Sequence, residues 1–292
     1  MVVLLALFFG IVFSQNIIFL AQYSTFVLGI IFFLSALKIN MREVMVSLTD
    51  KKLLITVNVF MLILFPILIY YGTLAIVPSL AIAFLLLATM PAGMTAPLLS
   101  EISGGKHSLA LVLTVSTSLL APITVPFMMK ILAGTTVSID FFDMFFALAK
   151  VIFIPFLLAN ILKSFWREEI NKVAVHFKPV SVLLLGILVM SVVAKQADII
   201  IRGFYGEEAL VYLGLLFILF IIFHIFGYFT IFWREKSDRI TTTVCLTYMN
   251  FTLAIYLADK FFQQPSIIIP VVLSVIPWAI LLTPFKHIMA RL

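Results

Sequence analysis

The chain contains 292 residues, of which 64% are hydrophobic and only 11% are charged. Soluble domains average about 45–50% apolar and about 25% charged residues, so this composition excludes a soluble enzyme or a soluble nucleic-acid-binding protein. The formal charge of +6 has a simpler cause in a membrane protein, because Lys and Arg gather in cytoplasmic loops. The composition therefore predicts an integral membrane protein whose surroundings are a lipid bilayer and not nucleic acid.

Apolar runs separated by polar clusters predict ten transmembrane helices. Runs of about 20 residues without two-residue alternation favour helices over the strands of a membrane barrel. The predicted spans are residues 2–14, 24–38, 53–72, 76–100, 107–131, 142–165, 179–197, 208–233, 239–261 and 267–289.

Ten spans distribute the basic residues unequally between the two sides of the membrane. One side collects Lys38, Arg42, Lys51, Lys52, Lys106, Lys163, Arg167, Lys172, Lys178, Arg234, Lys236, Arg239, Lys286 and Arg291. The other side collects Lys130, Lys195, Arg202 and Lys260, and Lys150 lies inside the sixth span. By the positive-inside rule, this asymmetry predicts a multi-pass protein of the cell membrane with both termini in the cytoplasm.

Two of the predicted spans are interrupted at corresponding places, five spans apart. The fourth contains two prolines and a glycine within residues 89–97, and these residue types remove or loosen helical hydrogen bonds. The ninth has neither, so its interruption at residues 247–252 is inferred from polar residues alone. Matched interruptions in two halves indicate a transporter's substrate site, and five-helix halves would be inverted relative to each other. The alternative is that these residues only kink the two helices and form no substrate site.

Four stretches resemble the bile acid:sodium symporter family, and the resemblance covers essentially the whole chain. They are residues 28–38, 90–93, 108–126 and 249–254. The resemblance implies an all-α integral membrane protein with ten transmembrane helices in two inverted five-helix repeats, residues 1–140 and 141–292. Helices 4 and 9 would be broken and would cross. A core domain of helices 3–5 and 8–10 would rock against a panel domain of helices 1, 2, 6 and 7.

The sodium ligands of this family are mostly replaced. The matching positions, where the family has oxygen-bearing side chains, are occupied here by Met61, Ala96, Pro97, Ala110, Cys245 and Met249. Only Thr114 and Asn250 keep an oxygen. We therefore expect weak coupling to Na⁺ or H⁺ through Thr114, Ser118 or His224, or no coupling, and no other cofactor or metal site. His224 is either a proton relay or a neutral histidine bonded to a neighbouring helix.

The interruptions predict a site for a carboxylate or sulfonate, because restarting helices present free N–H groups and a positive dipole end. The candidate substrate-binding residues are Met94, Thr95, Tyr248, Asn250, Phe251 and Thr252. By resemblance, Asn250 occupies the position of a substrate-contacting asparagine. Its alternative role is to bond backbone groups opened by the break.

No sequence motif of a hydrolase or of an ATP-driven pump is present, so no catalytic residues are expected. The expected function is secondary active transport of a small organic anion by alternating access. A ligand-binding membrane sensor, or an uncoupled or proton-coupled carrier, is the alternative. A channel would need a continuous polar stripe, and the polar residues cluster only at the two interruptions.

Overall fold

The structure is a computed structural model that describes residues 2–39, 50–134, 140–195, 197–198, 207–262 and 264–291. These residues are almost entirely helical. In chain order the helices are α1 (Val2–Val12), α2 (Ser14–Lys38), α3 (Lys51–Ile76), α4 (Ala81–Ala88), α5 (Ala96–Ile102), α6 (His107–Ala133), α7 (Phe141–Phe165), α8 (Arg167–Val173), α9 (Phe177–Lys195), α10 (Glu207–Phe229), α11 (Lys236–Thr247), α12 (Phe251–Phe261) and α13 (Pro265–Arg291). Arg42 and Arg202, which the sequence analysis assigned to opposite sides of the membrane, lie outside the described residues.

Within the described ranges, six helices are long and apolar enough to cross a membrane by length and composition. They are α2, α3, α6, α7, α13 and the segment Leu210–Phe229 of α10. A seventh is obtained if Arg167–His176 and Pro179–Lys195 count as one span with a 59° bend. Helix α1 has 11 residues. At 1.5 Å per residue it is about 17 Å long, well short of a hydrocarbon core of about 30 Å. The chain is thus a multi-pass membrane protein.

The fourth and ninth predicted spans are both interrupted, as the sequence predicts. The first interruption separates α4 from α5 at residues 89–95, and the second separates α11 from α12 at residues 248–250. Both are shorter than predicted. Pro97 lies in the first turn of α5, where its missing N–H is tolerated, and Phe251 and Thr252 already belong to α12.

The helices pack in two groups. Helix α1 packs on α9, α2 packs on α7, and α9 packs on α2. In the other group α10 packs on α11, α3 on α4, α5 on α6, and α4 on α13. Contacts of α6 with α7 and of α9 with α12 join the two groups. The interrupted helices belong to the second group, and residues 89–93 and 248–250 of the interruptions are buried.

A cluster of charged residues joins four elements at one end of the second group. It consists of Asp50, Lys106, Arg234, Glu235 and Asp238, and we call it the inner charge cluster. The Asp238 side chain is only 2% exposed, with Oδ1 2.8 Å from Lys106 Nζ and Oδ2 2.8 Å from Arg234 Nε. Arg234 also pairs with Asp50 at 3.0 Å, and Lys106 pairs with Glu235. Through Asp238, the cluster attaches three segments to α11: the start of α3, the turn between α5 and α6, and the connection between α10 and α11.

The inner charge cluster shifts the pKa values of Lys106 and Glu235, which lie in connections between helices. The hydrogen bonds that Lys106 donates to Asp238 and Glu235 raise the pKa of its ammonium group above the usual value. The hydrogen bond from Lys106 likewise lowers the pKa of Glu235. Both pKa shifts favour the charged forms of Lys106 and Glu235 at neutral pH.

Candidate functional site

The two interruptions meet and pair through their backbones. Ala92 and Met249 form an isolated antiparallel bridge. Gly93 donates its N–H to the carbonyl oxygen of Tyr248 at 3.0 Å, and Asn250 donates its N–H to the carbonyl oxygen of Pro91 at 2.8 Å. Inside a membrane, backbone groups released by a helix break must find protein partners or line a hydrated cavity. Here each interruption supplies partners for the other.

Glycine is required at position 93 because the two backbones approach closely. A Cβ atom there would lie 2.5 Å from the carbonyl oxygen of Tyr248 and 3.1 Å from that of Met249. Backbone atoms on both sides fix this approach, so no side-chain rearrangement relieves it.

Helix α6 supports the first interruption through Thr117. Its hydroxyl accepts a hydrogen bond from the N–H of Ala92 at 3.2 Å and donates to the carbonyl oxygen of Leu113 at 2.6 Å. Thr117 is not among the site residues predicted from the sequence. The available signal was the run of hydroxyl residues in which it lies, and its partner Ala92 is 25 residues away.

The Asn250 side chain has two distinct roles. Its Oδ1 accepts the N–H of Leu253 at 3.1 Å and so caps the N-terminus of α12. Its Nδ2 donates no hydrogen bond to any described residue, although the residue is only 7% exposed. The two alternatives from the sequence, a bond to neighbouring backbone and a contact with a ligand, are therefore compatible, since each uses a different end of the amide.

A narrow cleft lies beside the first interruption, between the two helix groups. It has a volume of about 20 Å³, which is room for about one water molecule. Its lining comes from α2, the first interruption, α6 and α7: Phe32, Ala36, Ile39, Met94, Thr114, Val115, Ser118, Leu119, Ile152 and Phe156. The structure thus brings together three predicted site residues, Met94, Thr114 and Ser118.

Two hydroxyls in the lining of this cleft lack hydrogen-bond partners. Thr114 Oγ1 and Ser118 Oγ are both buried and make no hydrogen bond within the described structure. The same holds for Oγ1 of Thr247, the last residue of α11, which lies outside this cleft. A buried polar group without a partner costs about 1–3 kcal/mol. Such a cost is usually explained by a ligand, an ion or water. Each of the two cleft hydroxyls can therefore still form a hydrogen bond with a water molecule or a bound ligand.

The other candidate substrate-binding residues occupy different environments. Tyr248, Phe251 and Thr252 are buried, whereas Thr95 is exposed and makes no capping hydrogen bond to α5. The ring of Phe251 packs on Trp278 with 4.8 Å between centroids. None of these four lines the narrow cleft, so the predicted substrate-binding residues do not all share one cavity.

His224 is connected to the second interruption. Its Nδ1 lies 2.7 Å from the carbonyl oxygen of Phe220, and its Nε2 lies 3.1 Å from the hydroxyl of Tyr248. A carbonyl oxygen only accepts, so Nδ1 carries the proton and Nε2 accepts the Tyr248 O–H in the neutral ring. Both nitrogens are thus engaged, as in the structural alternative for this residue.

Five residues that the resemblance aligns with oxygen-bearing positions of the family are packed in the interior. Met61, Ala96, Ala110, Cys245 and Met249 are all at most 1% exposed. Cys245 Sγ lies 4.0 Å from the carbonyl oxygen of Ala110, so two of these positions are neighbours in space. Among the described residues, no group of three or more His, Cys, Asp or Glu side chains is placed to hold a metal ion.

Known proteins are similar to this chain along much of its length. An uncharacterized sodium-dependent transporter, YocS of Bacillus subtilis, is 24% identical over 193 residues, which is 65% of this chain and 60% of that protein. Sodium/bile acid cotransporter 7 of Danio rerio is 27% identical over 170 residues, which is 56% of this chain and 50% of that protein. The probable chloroplastic sodium/metabolite cotransporter BASS2 of Oryza sativa is 21% identical over 208 residues, 71% of this chain. The matches thus span about half of each relative, between 49% and 60%.

A family profile extends this similarity to nearly every residue. The SBF-like CPA transporter family matches residues 1–290. This match confirms the resemblance found in the four stretches of sequence, and the family is one of transporters and not of enzymes. With its apolar helices, its paired interruptions and this match over its whole length, the chain belongs to the SBF-like CPA transporter family.

Proposed function

We propose that this protein is a secondary active transporter of a small organic anion, a bile-acid-like or other carboxylate or sulfonate, working by alternating access. The observation that carries the proposal is the pairing of the two interruptions through Gly93 and Asn250. Interrupted helices that meet inside a transporter are where substrates bind. The names of the relatives, which include a bile acid cotransporter and metabolite cotransporters, support the same class of substrate.

The architecture proposed for this function has ten spans in two inverted repeats, residues 1–140 and 141–292. In this scheme α4 with α5 forms the fourth span, and α11 with α12 forms the ninth. The antiparallel direction of the Ala92–Met249 bridge supports an inverted relation between the halves. The group formed by α1, α2, α7 and α9 corresponds to the panel, and the group holding both interruptions corresponds to the core. The charge asymmetry supports a cell-membrane location with both termini in the cytoplasm.

The proposed anion site is centred on Asn250. Its Nδ2 is a nearly buried donor without a partner in the described structure, at the positive end of the 11-residue helix α12. An anionic head group would provide the missing acceptor, and Met94 would contact the apolar body. The narrow cleft holds only about 20 Å³, so α2 and α7 must separate from α6 before an organic anion enters beside Met94.

The coupling ion is proposed to bind at Thr114 and Ser118 if transport is driven by Na⁺. Their hydroxyls are unpartnered, and the cleft has the size of one small ion, whereas both nitrogens of His224 are engaged. The absence of a carboxylate from this pair would make Na⁺ binding weak. Cys245, at a position where the resemblance implies a carboxylate, supports the alternative of an uncoupled or proton-coupled carrier or a membrane sensor.

Uptake into proteoliposomes tests the proposed function. Purified protein is reconstituted, and uptake of radiolabelled cholate, butyrate and ethanesulfonate is followed with a Na⁺ gradient, with a pH gradient and with neither. We expect at least one anion to accumulate, with at most a weak response to Na⁺. Binding of an anion without any counterflow exchange would favour a sensor, and the proposal fails if none of the anions is bound or moved.

Three substitutions at Asn250 separate its capping role from its proposed ligand role. Asparagine, aspartate and serine all cap helices, whereas alanine does not, at a cost of about 1 kcal/mol. Asn250→Asp should therefore fold normally but weaken anion binding about tenfold or more, because a carboxylate replaces the amide donor. Asn250→Ser, which removes the donor without adding charge, should have a smaller effect of the same sign.

Affinity for the transported anion and the melting temperature are measured for each variant. Asn250→Ala should lower both. Unchanged affinity in Asn250→Asp and Asn250→Ser would leave the residue with only its capping role.

A further inference from the structure

A second, larger cavity lies at the opposite end of α12 from Asn250. It has a volume of about 460 Å³ and is lined by Ser24, Thr25, Lys195, Tyr256, Asp259, Lys260, Phe262 and Ile268. We call it the outer pocket, because Lys195 and Lys260 are on the side that the positive-inside rule assigns to the exterior. Its volume is within the range of about 300–1,000 Å³ that is usual for small-molecule sites. The narrow cleft and the outer pocket share no lining residue.

The outer pocket lies where the two helix groups meet. Ser24 and Thr25 belong to α2 and Lys195 ends α9, whereas Tyr256, Asp259 and Lys260 belong to α12. An ion pair of 2.8 Å between Lys195 Nζ and Asp259 Oδ1 crosses this junction. Separation of the groups on this side would widen the outer pocket towards α12 and Asn250.

The charges that line the outer pocket do not balance. Asp259 pairs with Lys195, and its side chain is only 9% exposed. Lys260 forms no ion pair with any described residue, and its Nζ donates to the neutral hydroxyl of Tyr256 at 3.0 Å. Two ammonium groups and one carboxylate give the lining a net charge of +1. A cavity with one uncompensated cation favours an anionic ligand.

The hydrogen-bonding groups of the lining show the same imbalance. The Tyr256 oxygen accepts a hydrogen bond from Lys260, and it shares a second hydrogen bond with the hydroxyl of Thr25 at 3.3 Å. Each ammonium group has further donors, and Ser24 adds another hydroxyl. The main charged acceptor, Asp259, is already used by Lys195. Among its described residues, the outer pocket thus offers more hydrogen-bond donors than charged acceptors.

We propose that the outer pocket is an anion-binding site that receives the organic anion from the outer side before it reaches the interruptions. Lys260 is the main cation, with Tyr256 and Thr25 as hydroxyl donors to the same carboxylate or sulfonate. Lys195 contributes charge and is shared with Asp259, whose carboxylate limits the affinity and so permits release. The site rests on the proposed function for the identity of its ligand and is separate from the residues proposed to bind at the interruptions.

Equilibrium binding of radiolabelled cholate and ethanesulfonate to purified protein tests this site without requiring transport. The measurement uses Asn250→Asp protein, in which the proposed anion site at Asn250 is weakened. We expect residual binding that Lys260→Gln weakens about fivefold and Lys260→Arg preserves. Lys130→Gln is the matched control, because Lys130 is an exposed lysine assigned to the same side and lies outside the outer pocket. Equal affinities for the Lys260→Gln and Lys130→Gln proteins would overturn the proposal.

Transport from each side provides a second readout. In right-side-out vesicles, Lys260→Gln should raise the KM for the external anion about fivefold, and in inside-out vesicles the KM should be unchanged. An effect that appears only with anionic lipid and alters the maximal rate but not KM would assign the outer pocket to a lipid headgroup and overturn the proposal. If anions bind in the Lys260-dependent way but none is transported, the proposed function fails while the outer site stands.

Discussion

Replacing Gly93 with alanine is expected to abolish anion transport and to destabilise the protein by about 1–3 kcal/mol, the usual cost of adding a methyl group to a close-packed interior. The new Cβ would lie 2.5 Å from the carbonyl oxygen of Tyr248. The two interruptions would have to move apart, which would break the 3.0 Å hydrogen bond from Gly93 and displace the neighbouring bond from Asn250 to Pro91. Both the stability and the geometry of the proposed anion site depend on this approach.

Uptake by proteoliposomes and the thermal unfolding of purified protein measure the two effects. Gly72→Ala is the control, because a Cβ at Gly72 of α3 would meet no atom within 4 Å. We expect the control to be as stable as the unmodified protein or slightly more stable, because alanine favours helices. A Gly93→Ala protein with normal uptake would show that the pairing of the interruptions is dispensable.

Replacing Asp238 with alanine is expected to destabilise the protein by about 2–3 kcal/mol. Removal of one partner from a buried ion pair costs about 3–5 kcal/mol. We expect a smaller loss here because the two cations that remain are partly exposed and can be hydrated. The side chains of Lys106 and Arg234 are 42% and 36% exposed, whereas that of Asp238 is only 2% exposed. Asp238 is the one carboxylate of the inner charge cluster that holds both cations, so its loss separates α11 from its neighbours.

Thermal unfolding at neutral pH measures the effect, with Asp143→Ala as the control. Asp143 is an exposed carboxylate at the start of α7, and its loss should change stability little. An equal loss of stability in both variants would contradict a special role for the inner charge cluster.

The same cluster gives stability a defined dependence on pH. Because folding raises the pKa of Lys106, its contribution is complete below the unfolded pKa and is lost as pH rises through the folded value. Because folding lowers the pKa of Glu235, its contribution is present above the unfolded pKa and is lost as pH falls through the folded value. The Asp238→Ala protein should therefore lose less stability at alkaline pH than the unmodified protein does.

The first interruption was predictable from local chemistry, and the second only in part. Pro91 and Gly93 weaken any helix that contains them, whatever surrounds it. At the second interruption no residue forbids a helix, and the sequence places the break too broadly. The break there is stabilised by a distant partner, since the N–H of Asn250 bonds to the carbonyl oxygen of Pro91.

The sequence selects candidate site residues but does not give their spatial arrangement. Sequence reasoning selected Met94, Thr114 and Ser118 for different roles, and the structure places them around a single cleft. It selected His224 and Tyr248 separately, and they form a hydrogen bond. Such contacts depend on how the helices are rotated and packed, which hydropathy alone does not specify because lipid-facing and buried faces are both apolar.

The sequence by itself determined that this protein is a membrane protein, that its elements are helices, and that the helix containing Pro91 and Gly93 is interrupted. These conclusions depend on the cost of burying backbone groups in lipid and on the covalent properties of proline and glycine. The tertiary structure decided the rest: the pairing of Ala92 with Met249, the two uses of the Asn250 amide, and the donor-rich outer pocket. Each of these depends on atoms that are far apart in sequence and meet only when the helices pack.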